Sequence, residues 1–227
     1  MCNNLEKKLE DYLSLLKDAP YNLIDVQSCY LKVIKNEFND NIPFTLFLSS
    51  IINRAISLND AFVLLAEHNN YIAAISLVRL QLDNILAFYS IYLVADKNAY
   101  AKYIIDGNEA TSFIGIEGKP LRNSYVAKKM KKLVPNAVTF YKDMCGYIHL
   151  SKKFIQISAC NIKEKNIEVS VGQYDFFTIE EKVHITKDMY SIVICLYELI
   201  SNSFEKQSQS VTQSNFNSQS NFNSQNN

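Results

Sequence analysis

The stretch 71–94 constrains this chain more than any other. It is apolar over a length that could span a bilayer, yet Arg79, Gln81, Asp83 and Asn84 sit near its centre. An Arg or Asp at mid-bilayer costs about 2.5–3.5 kcal/mol on insertion scales. The segment therefore predicts a helix buried at the centre of a bundle rather than a membrane span, since a helix apolar nearly all round belongs in a core. Polar groups in such a place are costly unless partnered, so they predict either a specific core network or a site. Arg79 and Asp83 are spaced i,i+4 and share one helical face. Ser76 and Ser90 extend that polar stripe.

The rest of the chain reads mostly as helix. Residues 5–17 place Leu5, Leu9, Tyr12, Leu13 and Leu16 on one face. Pro20 punctuates that helix, and a second is expected over residues 23–38. After Asn39-Asp40-Asn41 and Pro43 comes a strongly apolar helix over residues 44–67. The loop around Asn69-Asn70 is short, so this helix and the one over residues 71–94 are expected to pair antiparallel. A short helix over residues 97–105 ends at Gly107, and a loop follows over residues 112–123. Helices are then expected over residues 124–133 and from Pro135 to about His149.

The period next changes to alternation over residues 154–158 and 167–171, which predicts a β-hairpin near 154–171. A last helix is expected over residues 186–204. Only 5 Gly and 4 Pro occur, which argues against an all-β fold rich in tight turns. The expected fold is mainly α: a helical bundle with one small β-hairpin, forming a single domain over residues 1–205. Residues 206–227 are dominated by Ser, Asn, Gln and Phe, and residues 214–219 recur as 220–225. That composition predicts a disordered low-complexity tail.

Lys plus Arg and Asp plus Glu number 23 each, so bulk charge does not drive binding to nucleic acid or an anionic membrane. Such a partner would need a local patch. Lys119 and Arg122 stand just before the run Lys128, Lys129, Lys131 and Lys132, with Tyr125 between them. This is either a solvated helix face or a phosphate-tracking patch with an aromatic ring to stack on a base. The five cysteines are widely spaced without a CxxC pair, and residues 1–7 hold no apolar signal core. Reduced thiols in a cytoplasmic protein with no membrane segment are expected. His68, His149 and His184 are far apart, and no phosphate-binding glycine motif occurs, so neither a metal nor a cofactor is expected.

A second polar group lies at Tyr147-Ile148-His149-Leu150-Ser151-Lys152, after Cys145-Gly146. If the helix continues, Tyr141, Cys145 and His149 line one face, and Tyr147 and Ser151 another. If the chain is extended from Gly146, then Tyr147, His149 and Ser151 point the same way. His149 is a candidate general acid or base near neutral pH, or equally a core histidine. Cys145 with His149 would need a third group to orient the base, and the sequence offers no obvious one.

The segments 78–83 (Val-Arg-Leu-Gln-Leu-Asp), Asp106-Gly107 and 146–151 (Gly-Tyr-Ile-His-Leu-Ser) resemble a group of small bacterial helical proteins of unassigned function. The resemblance covers roughly residues 72–151 and implies that the two polar groups belong together. More distantly the chain resembles HEPN-type helical domains, many of them ribonucleases of toxin–antitoxin and phage-defence systems. Their compact R-x4-6-H motif is missing here, because no Arg is followed by His at that distance. The HEPN resemblance implies a homodimer and metal-independent RNA cleavage. Arg79 and His149 would then be catalytic, with Arg79 stabilising phosphorane charge. Asp83 would orient Arg79, Tyr147 and Ser151 would position substrate, and Lys119 and Arg122 would bind RNA. The other reading is a non-catalytic protein that dimerises or binds a protein partner through a helical face, with Arg79, Asp83, Tyr147 and His149 as a structural network.

Overall fold

The structure is a computed structural model that describes residues 2–33, 41–148, 152, 155, 159–160, 168–169 and 177–223, with side chains of the last helix described to Phe204. It is mainly helical. Seven α-helices occur among the described residues: α1 (Cys2–Val33), α2 (Ile42–Glu67), α3 (Tyr71–Tyr89), α4 (Lys97–Ile105), α5 (Asn123–Met130), α6 (Ala137–Ile148) and α7 (Ile179–Asn223). A 3-10 turn over Ser90–Leu93 prolongs α3.

Helices α1, α2, α3 and α7 make the bundle. Gln27 donates from α1 to Ser49 of α2, and Tyr30 meets Thr45, so α1 and α2 run antiparallel. Helices α2 and α3 are also antiparallel, as the short loop predicts: Gln81 donates to the Ala55 carbonyl at 3.2 Å and Asn84 to the Ile51 carbonyl at 2.9 Å. Tyr71 meets Thr186, and the Tyr92 hydroxyl donates to the Leu199 carbonyl, which sets α7 parallel to α3. The contacts of Tyr12 with Tyr190 and of Tyr30 with Phe204 make α7 parallel to α1 as well. A parallel return requires a long connection, and α4, α5 and α6 lie on it. Helix α4 packs on α2, where Asn98 accepts from the Phe44 amide, and α5 and α6 pack on α3.

Pro20 does not end the first helix: α1 runs unbroken through it. A proline inside a helix has no N–H for the carbonyl four residues earlier, which here belongs to Leu16. Asn59 of α2 takes over, donating from Nδ2 to the Leu16 carbonyl at 2.7 Å in a fully buried setting. The expected break between residues 17 and 23 is therefore bridged by a side chain 43 positions away in sequence.

Helix α7 begins earlier than the apolar pattern suggests. Thr178 and Glu181 form a reciprocal cap, with the Glu181 amide donating to Thr178 Oγ1 at 3.2 Å and the Thr178 amide donating to Glu181 Oε2 at 2.8 Å. Its backbone stays helical through Asn223, where composition predicts a tail without regular structure. Residues 206–223 hold no Gly or Pro to stop propagation from the anchored turns. Ile155 is helical rather than part of the strand expected over residues 154–158. A short apolar run satisfies either period. One antiparallel pairing is described nearby, Ala159 opposite Val169 and Cys160 opposite Glu168, and the remainder of the expected hairpin lies outside the described residues.

By length and composition alone, Ile42–Glu67 and Tyr71–Leu93 are apolar enough to cross a membrane. The second packs inside the fold, with Ile75, Val78, Leu82, Ile85 and Leu86 buried. At one end Tyr30, Phe44, Phe47, Tyr100 and Phe113 form an aromatic chain with ring centroids 5.2–6.3 Å apart. Burial pushes the Tyr100 hydroxyl up to about 12, and that hydroxyl donates to the Ala87 carbonyl.

Candidate functional site

The four polar residues at the centre of α3 divide between two directions. Gln81 and Asn84 are fully buried and face α2, where each amide donates to a helix carbonyl. Arg79 and Asp83 face α5 and α6. Side-chain donors onto carbonyls that already serve the helix pin α3 against α2, and this fixes how the Arg79 face is presented.

Arg79 is 7% exposed. Its guanidinium forms an ion pair with Asp83, whose side chain is 27% exposed. Its carbon Cζ lies 4.6 Å from the centroid of the Tyr141 ring on α6, a cation–π contact. Asn123, the first residue of α5, donates to Asp83 Oδ1 at 2.7 Å. The ion pair is close, but neither Nη1 nor Nε of Arg79 aligns an N–H with an acceptor among the described residues. The attraction is thus chiefly between charges rather than through a directed fork. Burial works to lower the Arg79 pKa; the close Asp83 carboxylate, with Cys145 beside it, outweighs that, and the net shift is upward. The guanidinium stays charged. Burial raises the Tyr141 hydroxyl, with Arg79 opposing part of the rise.

Of the residues singled out in the sequence, Arg79 and Asp83 meet each other as their spacing requires. They also meet α6, the helix that leads to the second polar group. Helix α6 stays helical through Gly146 to Ile148, so the extended arrangement from Gly146 does not form there. Tyr141 and Cys145 occupy the face toward Arg79. Tyr147 is half-buried and packs on the core, as its different position around the helix requires. His149 and Ser151 lie outside the described residues. Asn123 joins the network without a sequence signal, because an asparagine after a loop usually reads as a cap.

Lys119 and Arg122 belong to a separate surface cluster. Arg122 is exposed and caps α5 with its carbonyl, which accepts from the Tyr125 and Val126 amides. The Lys119 ammonium lies 5.9 Å and that of Lys129 lies 5.6 Å from the Tyr125 ring centroid. Glu117 pairs with Lys129 and accepts from the Tyr125 hydroxyl, and the Lys129 bond is the main cause holding its carboxyl below the ordinary range. Two of the expected cationic groups are thus tied to one local acid–aromatic cluster, while Lys128, Lys131 and Lys132 stay exposed.

The neighbouring glycines serve the backbone. A Cβ on Gly115 would stand 2.7 Å from the Leu93 carbonyl oxygen and 2.9 Å from Leu121 Cδ2, because the loop is held against the end of the α3 extension by the Ile116 amide. Among the described residues no group of three or more His, Cys, Asp or Glu stands close enough to hold a metal ion. Fold and site together define a mainly helical bundle with an enclosed Arg–Asp–Tyr network at the junction of α3, α5 and α6. Compared with protein-family models, curated proteins and solved structures, the chain finds no match.

Proposed function

We propose that the chain is a non-catalytic interaction protein, a HEPN-like helical bundle of the bacterial cytoplasm whose Arg79–Asp83 network is structural. The enclosure of Arg79 carries this reading. A guanidinium 7% exposed, paired with Asp83 and covered by Tyr141, would have to leave both partners to touch a phosphate. Leaving would strand the Asp83 carboxylate at the junction and give up the Tyr141 contact, so the geometry holds the guanidinium where it is. The partner surface we favour is α1, where Tyr21, Ile24 and Leu31 stand exposed at i, i+3 and i+10 and a second copy of the chain would cover them. Light scattering across a concentration series, on wild type and on Ile24→Lys, tests this. A dimer lost in the variant supports the reading; a monomer at all concentrations refutes it.

A second reading draws on the exposed basic residues of α5 and its flanks, Arg122, Lys128, Lys131 and Lys132. It is a metal-independent ribonuclease of the toxin or phage-defence kind, with His149 as general acid or base, Ser151 and Tyr147 positioning RNA and the α5 cluster following its backbone. RNA integrity after expression of wild type and of His149→Ala tests it. Intact RNA with both, or equal cleavage by both, sinks the proposed role of His149.

A further inference from the structure

Helices α3, α5, α6 and α7 enclose a half-open cavity of about 270 Å³. It lies near the low end of small-molecule sites, which begin at roughly 300 Å³. Its wall is apolar, with Ile85, Met130, Val134, Phe140 and Ile192 contributing, and one carboxyl, Asp188 of α7, stands in the lining. Asp188 is only partly exposed and has no hydrogen-bond or ion-pair partner among the described residues. The basic side chains near it, His184 and Lys187, project from its own helix and are exposed. Every residue lining the cavity from α3, α5, α6 and the turn between the last two is uncharged. From α1, Lys8 and Asp11 stand with His184 and Lys187 in a different groove, on the α1 side of α7.

A carboxylate set into an apolar wall, with only solvent-exposed basic groups of its own helix nearby and none across the cavity, is an unfavourable arrangement that an incoming cation relieves. An anionic ligand would be repelled, and a neutral one would leave the charge unpaired. We propose that this cavity binds a small organic amine, with its ammonium group against Asp188 and its aliphatic or aromatic body against Ile85, Val134 and Phe140. The apolar wall supplies affinity through burial, and the single carboxyl supplies selection for a cation. Burial sets Asp188 to titrate at about 6, so the carboxylate is present at neutral pH and mostly protonated one unit below that value.

Calorimetric titration of the full chain with n-hexylammonium, n-hexanol and n-hexanoate at about pH 7.5 tests the assignment. The ammonium should bind at least about tenfold tighter than the alcohol, and the carboxylate should not bind. The preference should vanish in Asp188→Asn. In wild type it should fall about tenfold at about pH 5, as the carboxyl takes up its proton. That second measurement needs no variant. Equal binding of ammonium and alcohol, no binding of either, or a preference that survives in Asp188→Asn or at the lower pH would overturn the proposal.

Discussion

Asn59 and Pro20 should be energetically coupled although neither side chain is charged. The Leu16 carbonyl is fully buried, and Pro20 deprives it of its helical donor. Asn59 supplies a donor to that carbonyl, at 2.7 Å. Removing a donor so that a buried carbonyl is orphaned costs about 1–3 kcal/mol. Asn59→Leu keeps the branched skeleton of the side chain and removes the donor, so a loss of about 1–2 kcal/mol is expected from the missing bond, in addition to the cost of fitting two bulkier methyl groups, which is the same in both backgrounds. The lower figure reflects Asn59 Oδ1, which has no partner among the described residues and whose removal is a gain. In a Pro20→Ala background the restored amide of residue 20 serves Leu16, and the same Asn59→Leu change should then cost only its packing term, without the loss from an orphaned carbonyl. Urea unfolding of the four proteins, followed by far-UV circular dichroism, yields the coupling. A value of about 1 kcal/mol or more is expected. Additivity within about 0.5 kcal/mol, the range typical of independent sites, would refute the claim that Asn59 stands in for the missing amide.

Other consequences follow from the same geometry. Arg79→Ala should destabilise by about 2–4 kcal/mol, because it strands Asp83 at the junction, whereas Arg79→Met with Asp83→Leu should come close to wild type in chemical denaturation. Asp188 has a folded pKa of about 6 against an ordinary 3.8, so the folded protein holds the proton between those values. Its favourable contribution is complete below about 3.8 and lost as pH rises through about 6. Asp188→Asn should therefore be more stable than wild type by about 1–2 kcal/mol at neutral pH, a figure reduced for the partial exposure of the group. The difference should shrink toward zero near pH 4 when urea midpoints are compared. Gly115→Ala should cost about 1–3 kcal/mol in the same assay, since its methyl group would press on the Leu93 carbonyl.

The parts of the fold legible in the sequence are those decided locally. Stretch 71–94 reads as a core helix because its apolar residues run all round it, and the Asn69-Asn70 loop is too short for anything but an antiparallel neighbour. Pro20 misleads because its remedy is Asn59, a residue with no local mark of that role. The start of α7 was in the sequence as Thr178-Ile179-Glu180-Glu181, a cap spacing overshadowed by the apolar pattern that begins later. At the site, i,i+4 spacing pairs Arg79 with Asp83, but nothing in the spacing announces Tyr141 above the guanidinium or Asn123 on the carboxylate. Those contacts depend on how α5 and α6 return across α3, which is a tertiary outcome. The division of Gln81 and Asn84 from Arg79 and Asp83 follows from the helical period, but that the first pair meets α2 and the second α5 and α6 is decided by the packing of both flanks of α3.

The central claim is that Arg79 is an enclosed structural cation. The chain has only three arginines, and Arg54 and Arg122 are exposed, so they serve as internal references. The direct measurement is hydrogen exchange and chemical shift of the Arg79 Nε–H in nitrogen-15-labelled protein, followed through titration with a short RNA. The account predicts an Arg79 signal that exchanges far more slowly than those of Arg54 and Arg122 and does not move with RNA. An Arg79 signal that exchanges as fast as theirs, or that shifts on adding RNA, would contradict it.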